Sequence, residues 1–164
     1  VRLQILRRDD VDVIFLAAPP TIARGIPPQL RFLYANDLPV YATSHVFSGQ
    51  AAPEQDQDLN GILFCDIPWL LDPRAPLRET LAERLPGQEG RTFPRILALG
   101  LDAYTLIPYI KYLALRPAKR IAGQTGDLSM DADRRIHRRL QWARFVRGRP
   151  RPVQDLSSDS ETGP

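Results

Sequence analysis

The feature that most constrains the fold is a short apolar run, 13–18, with acidic residues before it and Pro19-Pro20 directly after it. A continuous apolar run of this length is typical of a strand buried on both faces of a parallel sheet. The apolar spacing through 22–35 predicts a helix that properly begins near Pro27, and 39–43 predicts the next strand. This strand–helix–strand order predicts a right-handed parallel crossover unit.

The remainder of the chain continues the alternation of strands and helices. The pattern predicts a strand at 61–66, an apolar proline-marked segment at 67–71 and a short helix at 76–85. A long helix at 93–115, kinked by Pro108, follows these elements. After it the pattern predicts a short strand at 120–123, a turn-rich segment at 124–135, and a half-exposed strand in which Ile136, Leu140 and Trp142 face a core. This order favours an α/β fold, with an open, mostly parallel sheet and helices on its faces.

Length, composition and charge place further bounds on the chain. Its 164 residues, 43% hydrophobic, fit one soluble globular domain, and the absence of an apolar run of about 18 residues predicts no membrane span. The lone Cys65 excludes an internal disulfide, and His45 and His137 are too isolated to predict a metal site; we expect no cofactor. Because the chain begins at Val1, we expect a C-terminal portion of a longer protein, with an ordered domain at 1–148 and a disordered tail at 149–164.

Three short motifs invite a catalytic interpretation. Ser44-His45 resembles a nucleophile and its base, but neighbours on an extended chain point to opposite sides, so binding at the strand's carboxyl end is the favoured interpretation. Cys65 lies in an apolar strand, which predicts a buried, inert thiol. The Gly123-x-Thr125-Gly126 segment lacks the Gly-Lys-Ser/Thr of a phosphate loop and predicts a tight turn. Asp102 on the long helix is predicted to be a local cap or an ion-pair partner. Because none of these residues predicts a catalytic site, a binding protein is favoured over an enzyme.

Eight arginines occur between Arg134 and Arg151 with no acid among them. Three interpretations remain open: a solvated basic face, a surface for an acidic partner, and a nucleic-acid surface on which Trp142 and Phe145 stack on bases. The solvated face is favoured, because the apolar alternation through Ile136, Leu140 and Trp142 directs the arginines away from the core.

Several segments, taken together and in order, resemble the C-terminal domain of the LppC lipoprotein family of penicillin-binding protein activators. They are 12–18 (DVIFLAA), 37–44 (DLPVYATS), 58–62 (DLNGI), 66–71 (DIPWLL), 98–104 (ALGLDAY), 123–129 (GQTGDLS) and 136–145 (IHRRLQWARF). The resemblance runs from about Val11 to Gly148. The sequence departs from the family pattern at Arg134-Arg135, where a glycine-containing turn is expected.

The resemblance implies a type I periplasmic-binding fold with two Rossmann-like lobes, much of one lobe being absent from this chain. Asp12–Phe47 would belong to one lobe, the chain would cross near Asp66–Leu71, and the helix from Phe93 would belong to the other. Candidate residues facing a cleft or a partner are Thr43, Ser44, His45, Trp69 and Tyr104.

The resemblance also implies a function and an address. It implies a non-catalytic regulator that activates a bifunctional class A penicillin-binding protein, a peptidoglycan synthase, by direct contact. The full-length lipoprotein would face the periplasm from the outer membrane, through a lipid anchor upstream of this chain. No cofactor and no nucleic acid is implied. The alternative is a periplasmic receptor for a small, amino-acid-like molecule.

Overall fold

The structure is a computed structural model that describes residues 10–72 and 94–153, together with residues 77, 80 and 81. The chain divides into two compact units. Unit 1 comprises Val1–Cys65 and Trp142–Pro164, and unit 2 comprises Asp66–Gln141. The outward crossing at Cys65–Asp66 agrees with the crossing expected near Asp66–Leu71, and the division agrees with the expected assignment of Asp12–Phe47 and of the long helix to different lobes.

The described helices and strands follow in chain order. They are β1 (Ile14–Leu16), α1 (Pro20–Ala23), α2 (Ile26–Phe32), β2 (Val40–Ala42), β3 (Leu63–Asp66), α3 (Pro68–Leu71), α4 (Pro94–Leu106), α5 (Ile110–Ala114), β4 (Ile121–Ala122), β5 (Asp127–Met130), β6 (Ile136–Arg139), β7 (Gln141–Val146) and β8 (Arg149–Pro152). Short 3-10 helices occupy Ser44–Val46, Gln57–Leu59 and Ile107–Tyr109. Residues 77, 80 and 81 are helical, and the rest of the helix predicted at 76–85 lies outside the described residues.

Unit 1 is built on a five-stranded sheet with the order β1-β2-β3-β7-β8. β1, β2 and β3 are parallel, as the crossover pattern predicts, with Ile14 opposite Val40 and Tyr41 opposite Leu63. Phe64 and Phe145 stack with their ring centroids 5.0 Å apart. This pair ties the parallel part of the sheet to β7 in the interior of the unit, because both rings are almost fully buried.

β7 and β8 form an antiparallel hairpin at the end of that sheet. Val146 pairs with Arg149 across a two-residue turn in which Arg147 and Gly148 both have positive φ, 52° and 67°. Two positive φ values are what a tight hairpin of this twist requires. Residues 149–152 were expected in the disordered tail, but they form β8; the rest of that tail, from residue 154, lies outside the described residues.

Unit 2 packs helices against a three-stranded antiparallel sheet with the order β4-β5-β6. Leu128 and Met130 of β5 form a buried cluster with Leu106 of α4 and Leu113 of α5. The kink predicted at Pro108 is present as the 3-10 turn between α4 and α5, because proline cannot donate the hydrogen bond that a continuous helix needs.

The helical stretch Pro94–Ala114 is 21 residues long with a mean hydropathy of 1.2, so by length and composition it is long and apolar enough to cross a membrane. The sequence predicted a long helix at 93–115 but no membrane span. Those two measures alone are weak grounds, because core helices of globular domains also satisfy them. Here Asp102, in the middle of α4, is 3% exposed and hydrogen-bonded within unit 2, so the helix packs through this side onto its own domain.

Two strand predictions in the C-terminal part were wrong. The segment 124–135, predicted as turns, contains β5. The single strand predicted through Ile136, Leu140 and Trp142 is two strands, β6 and β7, which belong to different sheets and meet at Leu140. Ile136 and Trp142 are 43% and 36% exposed, whereas Phe145 is 1% exposed. The alternation of apolar residues cannot show that the chain leaves one sheet and enters another. At such a change of sheet, the positions whose side chains are buried no longer follow the alternation of the preceding strand.

Candidate functional site

The Gly123–Gly126 loop is fixed by one buried carboxylate, Asp102 on α4. Its Oδ1 accepts a hydrogen bond from the Gln124 backbone N–H at 2.6 Å, and its Oδ2 accepts from the Thr125 N–H at 2.7 Å and the Thr125 Oγ1 hydroxyl at 2.6 Å. A side chain at position 123 would come within 2.8 Å of the carboxylate, so only glycine allows this approach. Asp102 was predicted as a local cap or an ion-pair partner; instead it orders a loop 22 residues further along the chain.

A second buried carboxylate, Asp66 at the end of β3, holds the start of α4. Arg95 Nε donates to Asp66 Oδ1 at 3.2 Å and Arg95 Nη2 donates to Oδ2 at 2.5 Å, a bidentate ion pair with a carboxylate that is only 1% exposed. The Trp69 backbone N–H donates to the Gln124 carbonyl at 3.1 Å. The 66–71 and 123–129 motifs of the sequence are therefore joined inside unit 2. Arg95 was not predicted from the sequence, although an acid ending a buried strand signals that a cation must lie nearby.

Thr43, Ser44 and His45 follow β2 at its carboxyl end, in unit 1. Ser44 and His45 are not on extended chain, as the sequence argument assumed, but in a 3-10 turn. His45 is exposed, and Thr43 and Ser44 are half-buried. Thr43 Oγ1 is buried and has no hydrogen-bond partner among the residues that the structure describes. A buried hydroxyl without a partner at the carboxyl end of a parallel strand is a position where a ligand's polar group would be stabilised.

The remaining candidates differ sharply in exposure. Tyr104 on α4, in unit 2, is 78% exposed. Trp69 is 2% exposed, so the expectation that it faces a cleft or a partner was wrong: its side chain is almost fully buried. Cys65 is half-buried in β3 rather than fully buried.

The β5–β6 turn is organised by Asp131, an acidic residue of the turn that lies at the protein surface. Its Oδ1 accepts from the Arg135 backbone N–H at 2.8 Å, and its Oδ2 lies 2.6 Å from His137 Nε2. The hydrogen bond with His137, and then the one from Arg135, hold the pKa of Asp131 below its ordinary value of 3.8. Arg134 lies in this turn with φ 61°. The hairpin therefore forms without the glycine expected at this turn, with an arginine in the left-handed region. The sequence signal, an acid six residues before a histidine across a turn, was missed.

No group of three or more histidine, cysteine or acidic side chains that could hold a metal occurs within the described ranges. Two buried acids of unit 2, Asp66 and Asp102, both accept hydrogen bonds from protein donors. The arrangement therefore orders the interior of unit 2, while the exposed groups of the β5–β6 hairpin and the end of β2 remain accessible.

Comparison with known proteins places the chain in a family. A family described as "LppC putative lipoprotein" matches residues 1–148. The chain is 34% identical over 139 residues to the "Penicillin-binding protein activator LpoA" of Vibrio antiquarius, a match that covers 83% of this chain and 22% of that relative. The chain thus spans about a fifth of the length of the curated relatives it matches.

Two solved structures share the backbone arrangement. The "LpoA (YraM) C-domain from Haemophilus influenzae, a regulator of PBP1A" superimposes with a TM-score of 0.71 at 27% identity, covering 90% of this chain and 46% of that one. A putative branched-chain amino acid ABC transporter from Chromobacterium violaceum superimposes with a TM-score of 0.55 at 31% identity, covering 82% of this chain and 42% of that one. The expected periplasmic-binding-protein-like α/β fold is confirmed by both likenesses, and the chain belongs to the LppC lipoprotein family.

Proposed function

We propose that the full-length protein activates a bifunctional class A penicillin-binding protein by direct contact and has no catalytic activity of its own. The observation on which the proposal chiefly rests is the backbone likeness to the LpoA C-domain, over 90% of this chain, in a structure described as a regulator of PBP1A. The sequence relative of Vibrio antiquarius is likewise named a penicillin-binding protein activator.

The placement of the buried acids supports a binding role over catalysis. A hydrolase needs a carboxylate, thiol or hydroxyl that substrate can reach, together with a base. Asp66 and Asp102 are fully buried and hydrogen-bonded by the protein itself. Ser44 and His45 occupy consecutive positions of a 3-10 turn.

The proposed address follows from the family. As an LppC lipoprotein, the full-length protein would be anchored through a lipid upstream of this chain and would face the periplasm from the outer membrane. Cys65 is not the lipid-bearing residue, because it lies half-buried within β3.

The direct test combines the purified full-length protein with its cognate class A synthase and measures glycan polymerisation and peptide cross-linking. We expect both rates to rise, and we expect the two proteins to co-purify. A matched preparation lacking the LppC domain should raise neither rate. Unchanged rates with the intact protein, together with no detectable association, would refute the proposal.

A second function is favoured by one specific observation, the buried Thr43 Oγ1 without a hydrogen-bond partner among the described residues. The likeness to the Chromobacterium violaceum protein, named for branched-chain amino acid transport, supports a receptor for amino-acid-like molecules as this second function. Calorimetry with amino acids and muropeptides on the intact domain would show binding that Thr43→Val weakens and Thr43→Ser retains. No heat of binding with either ligand class would exclude this function.

A further inference from the structure

The tip and the second strand of the β5–β6 hairpin form an exposed, charged part of unit 2. We call residues 131–139 the basic hairpin. Every residue from 132 to 139 is exposed, and four of them are arginines: Arg134, Arg135, Arg138 and Arg139. Within the part of the chain that the structure describes, none of these four side chains makes an ion pair.

The acids of the basic hairpin do not neutralise these arginines. Asp131 uses one carboxylate oxygen on the Arg135 backbone N–H and the other on the His137 ring. It therefore stabilises the turn, and the exposed guanidinium groups have no ion-pair partner in the described part of the chain. An unpaired guanidinium presents a planar set of donors that binds a carboxylate through two parallel hydrogen bonds.

The strand register spreads the basic side chains around an open sheet edge. β6 is the last strand of the sheet order β4-β5-β6. Arg138 and Ile136 lie opposite Leu128 and Met130, on the face that packs toward the helices, and Arg139 lies on the other face. Ile136 is 43% exposed beside Arg138, so the edge offers an apolar contact together with the charges. Arginine next to an apolar side chain is a composition typical of protein–protein interfaces.

The tip of the hairpin places an arginine, Arg134, in a backbone conformation that costs energy for a side chain of this size. Its φ of 61° is in the left-handed region, which favours glycine or asparagine. Strained positions of this kind are enriched where a side chain has a binding role.

We propose that the basic hairpin is the surface of this domain that docks an acidic protein surface on the synthase. The inference rests on the proposed function. A protein surface fits better than a uniform polyanion, because Asp131 and Asp133 lie among the arginines at the tip and would repel a continuous row of phosphates. A surface of mixed charge selects a partner whose charges alternate in the complementary order.

The test measures binding of the full-length protein to the purified synthase by surface plasmon resonance at several salt concentrations. The variant R135Q/R138Q removes two charges from the basic hairpin. The control K111Q/R116Q removes two charges from exposed positions elsewhere in unit 2. We expect the hairpin variant to bind about tenfold more weakly, with a slower association rate and a shallower salt dependence, and the control to bind like the parent protein.

A second variant separates lost binding from lost folding. Arg134→Gly removes a charge and places at φ 61° the residue best suited to it. We expect the hairpin of this variant to be at least as well protected from hydrogen exchange as in the parent protein, while synthase binding weakens about threefold or more. Weaker binding with unchanged exchange protection cannot come from a damaged fold.

The outcomes distinguish the two proposals. If the parent protein neither binds nor activates the synthase, the proposed function fails. If the parent binds but R135Q/R138Q and Arg134→Gly bind equally well, the docking inference alone fails. Binding to vesicles that contain phosphatidylglycerol is measured in parallel. If the hairpin variants lose vesicle binding but keep synthase binding, the basic hairpin binds lipid headgroups and the inference is overturned.

Discussion

Two turns in unit 2 are each organised by one aspartate that accepts backbone N–H groups, yet they differ in burial. Asp102 is 3% exposed and holds Gln124 and Thr125 with three hydrogen bonds. Asp131 lies at the surface and holds Arg135 and the ring of His137. The chemistry of the two turns is similar, but the surroundings of the two carboxylates are not.

The difference teaches how to separate a structural motif from a functional one. Buried donors that lose their acceptor cannot turn to water, so the Asp102 loop is required for the fold. Surface donors that lose theirs are hydrated, so the Asp131 turn affects mainly what the hairpin displays. The 123–129 segment therefore serves packing, whereas the arginines after Asp131 are available for a partner.

The largest effect is expected for Asp102→Ala. The substitution leaves the half-buried N–H of Gln124 and the buried N–H and hydroxyl of Thr125 without an acceptor. The free energy of unfolding should fall by about 3–5 kcal/mol. Urea unfolding of the intact LppC domain measures the loss, and hydrogen exchange should show peptides around 120–130 opening first. Asp131→Ala is the matched control. An equal fall in the free energy of unfolding in both variants would contradict the conclusion that the two turns differ in their importance for the fold.

Gly126→Ala should be the next most damaging change. Gly126 has φ 133°, and a Cβ there would collide with the Arg139 backbone carbonyl. Backbone strain and overpacking together should lower the free energy of unfolding by about 2–4 kcal/mol.

Gly100→Ala is the control for that substitution, because a Cβ at this position in α4 meets no atom within 4 Å. Alanine in a helix interior should raise the free energy of unfolding by about 0.5–1 kcal/mol. Thermal melts of both variants measure the contrast, and destabilisation by Gly100→Ala would show that this face of α4 is covered in the intact protein.

Arg134→Gly should change stability in the opposite direction. Relief of the left-handed conformation should stabilise the β5–β6 turn by about 0.5–1 kcal/mol. Amide hydrogen exchange at Arg135 and Ile136 reports this locally. Faster exchange in the variant would mean that the Arg134 side chain itself supports the turn.

The smallest expected effect is the acid sensitivity of the Asp131 turn. Because its pKa is lowered, the ionised carboxylate favours the folded turn; this contribution is complete above pH 3.8 and is lost as the pH falls below that value toward the lowered pKa. The Arg135 amide chemical shift, followed by NMR from pH 6 downward, should move only in the acid part of the range. Asp131→Asn should remove that transition, and a transition that persists in the variant would assign it to another group.

The sequence was most informative where one element of structure accounts for one local pattern. The apolar runs of β1, β2 and β3 and the prolines in the first turns of α1 and α2 predicted the parallel part of unit 1, and Pro108 predicted the break between α4 and α5. Burial of β1 on both faces was a wrong expectation, because Phe15 is 72% exposed. The candidate site stays a prediction: Tyr104 is exposed and Thr43 is half-buried, but Trp69 is interior. Arg95 and the Asp131–His137 pair were missed, because each interaction joins residues that no local pattern connects.

The sequence by itself determined the family, the α/β class and the stretches that fold as strands and helices, because these depend on the order and spacing of apolar residues along the chain. Only the tertiary structure decided that the chain returns to the first sheet at Trp142 and that Asp102 holds a distant loop. It also decided that four arginines beside the Asp131 turn make no ion pair with any residue that the structure describes. Those outcomes depend on which segments meet in space. The burial of a side chain and its hydrogen-bond or ion-pair partners depend on these tertiary contacts. The same residue type, aspartate or arginine, therefore has a structural role at one position and is exposed to solvent at another.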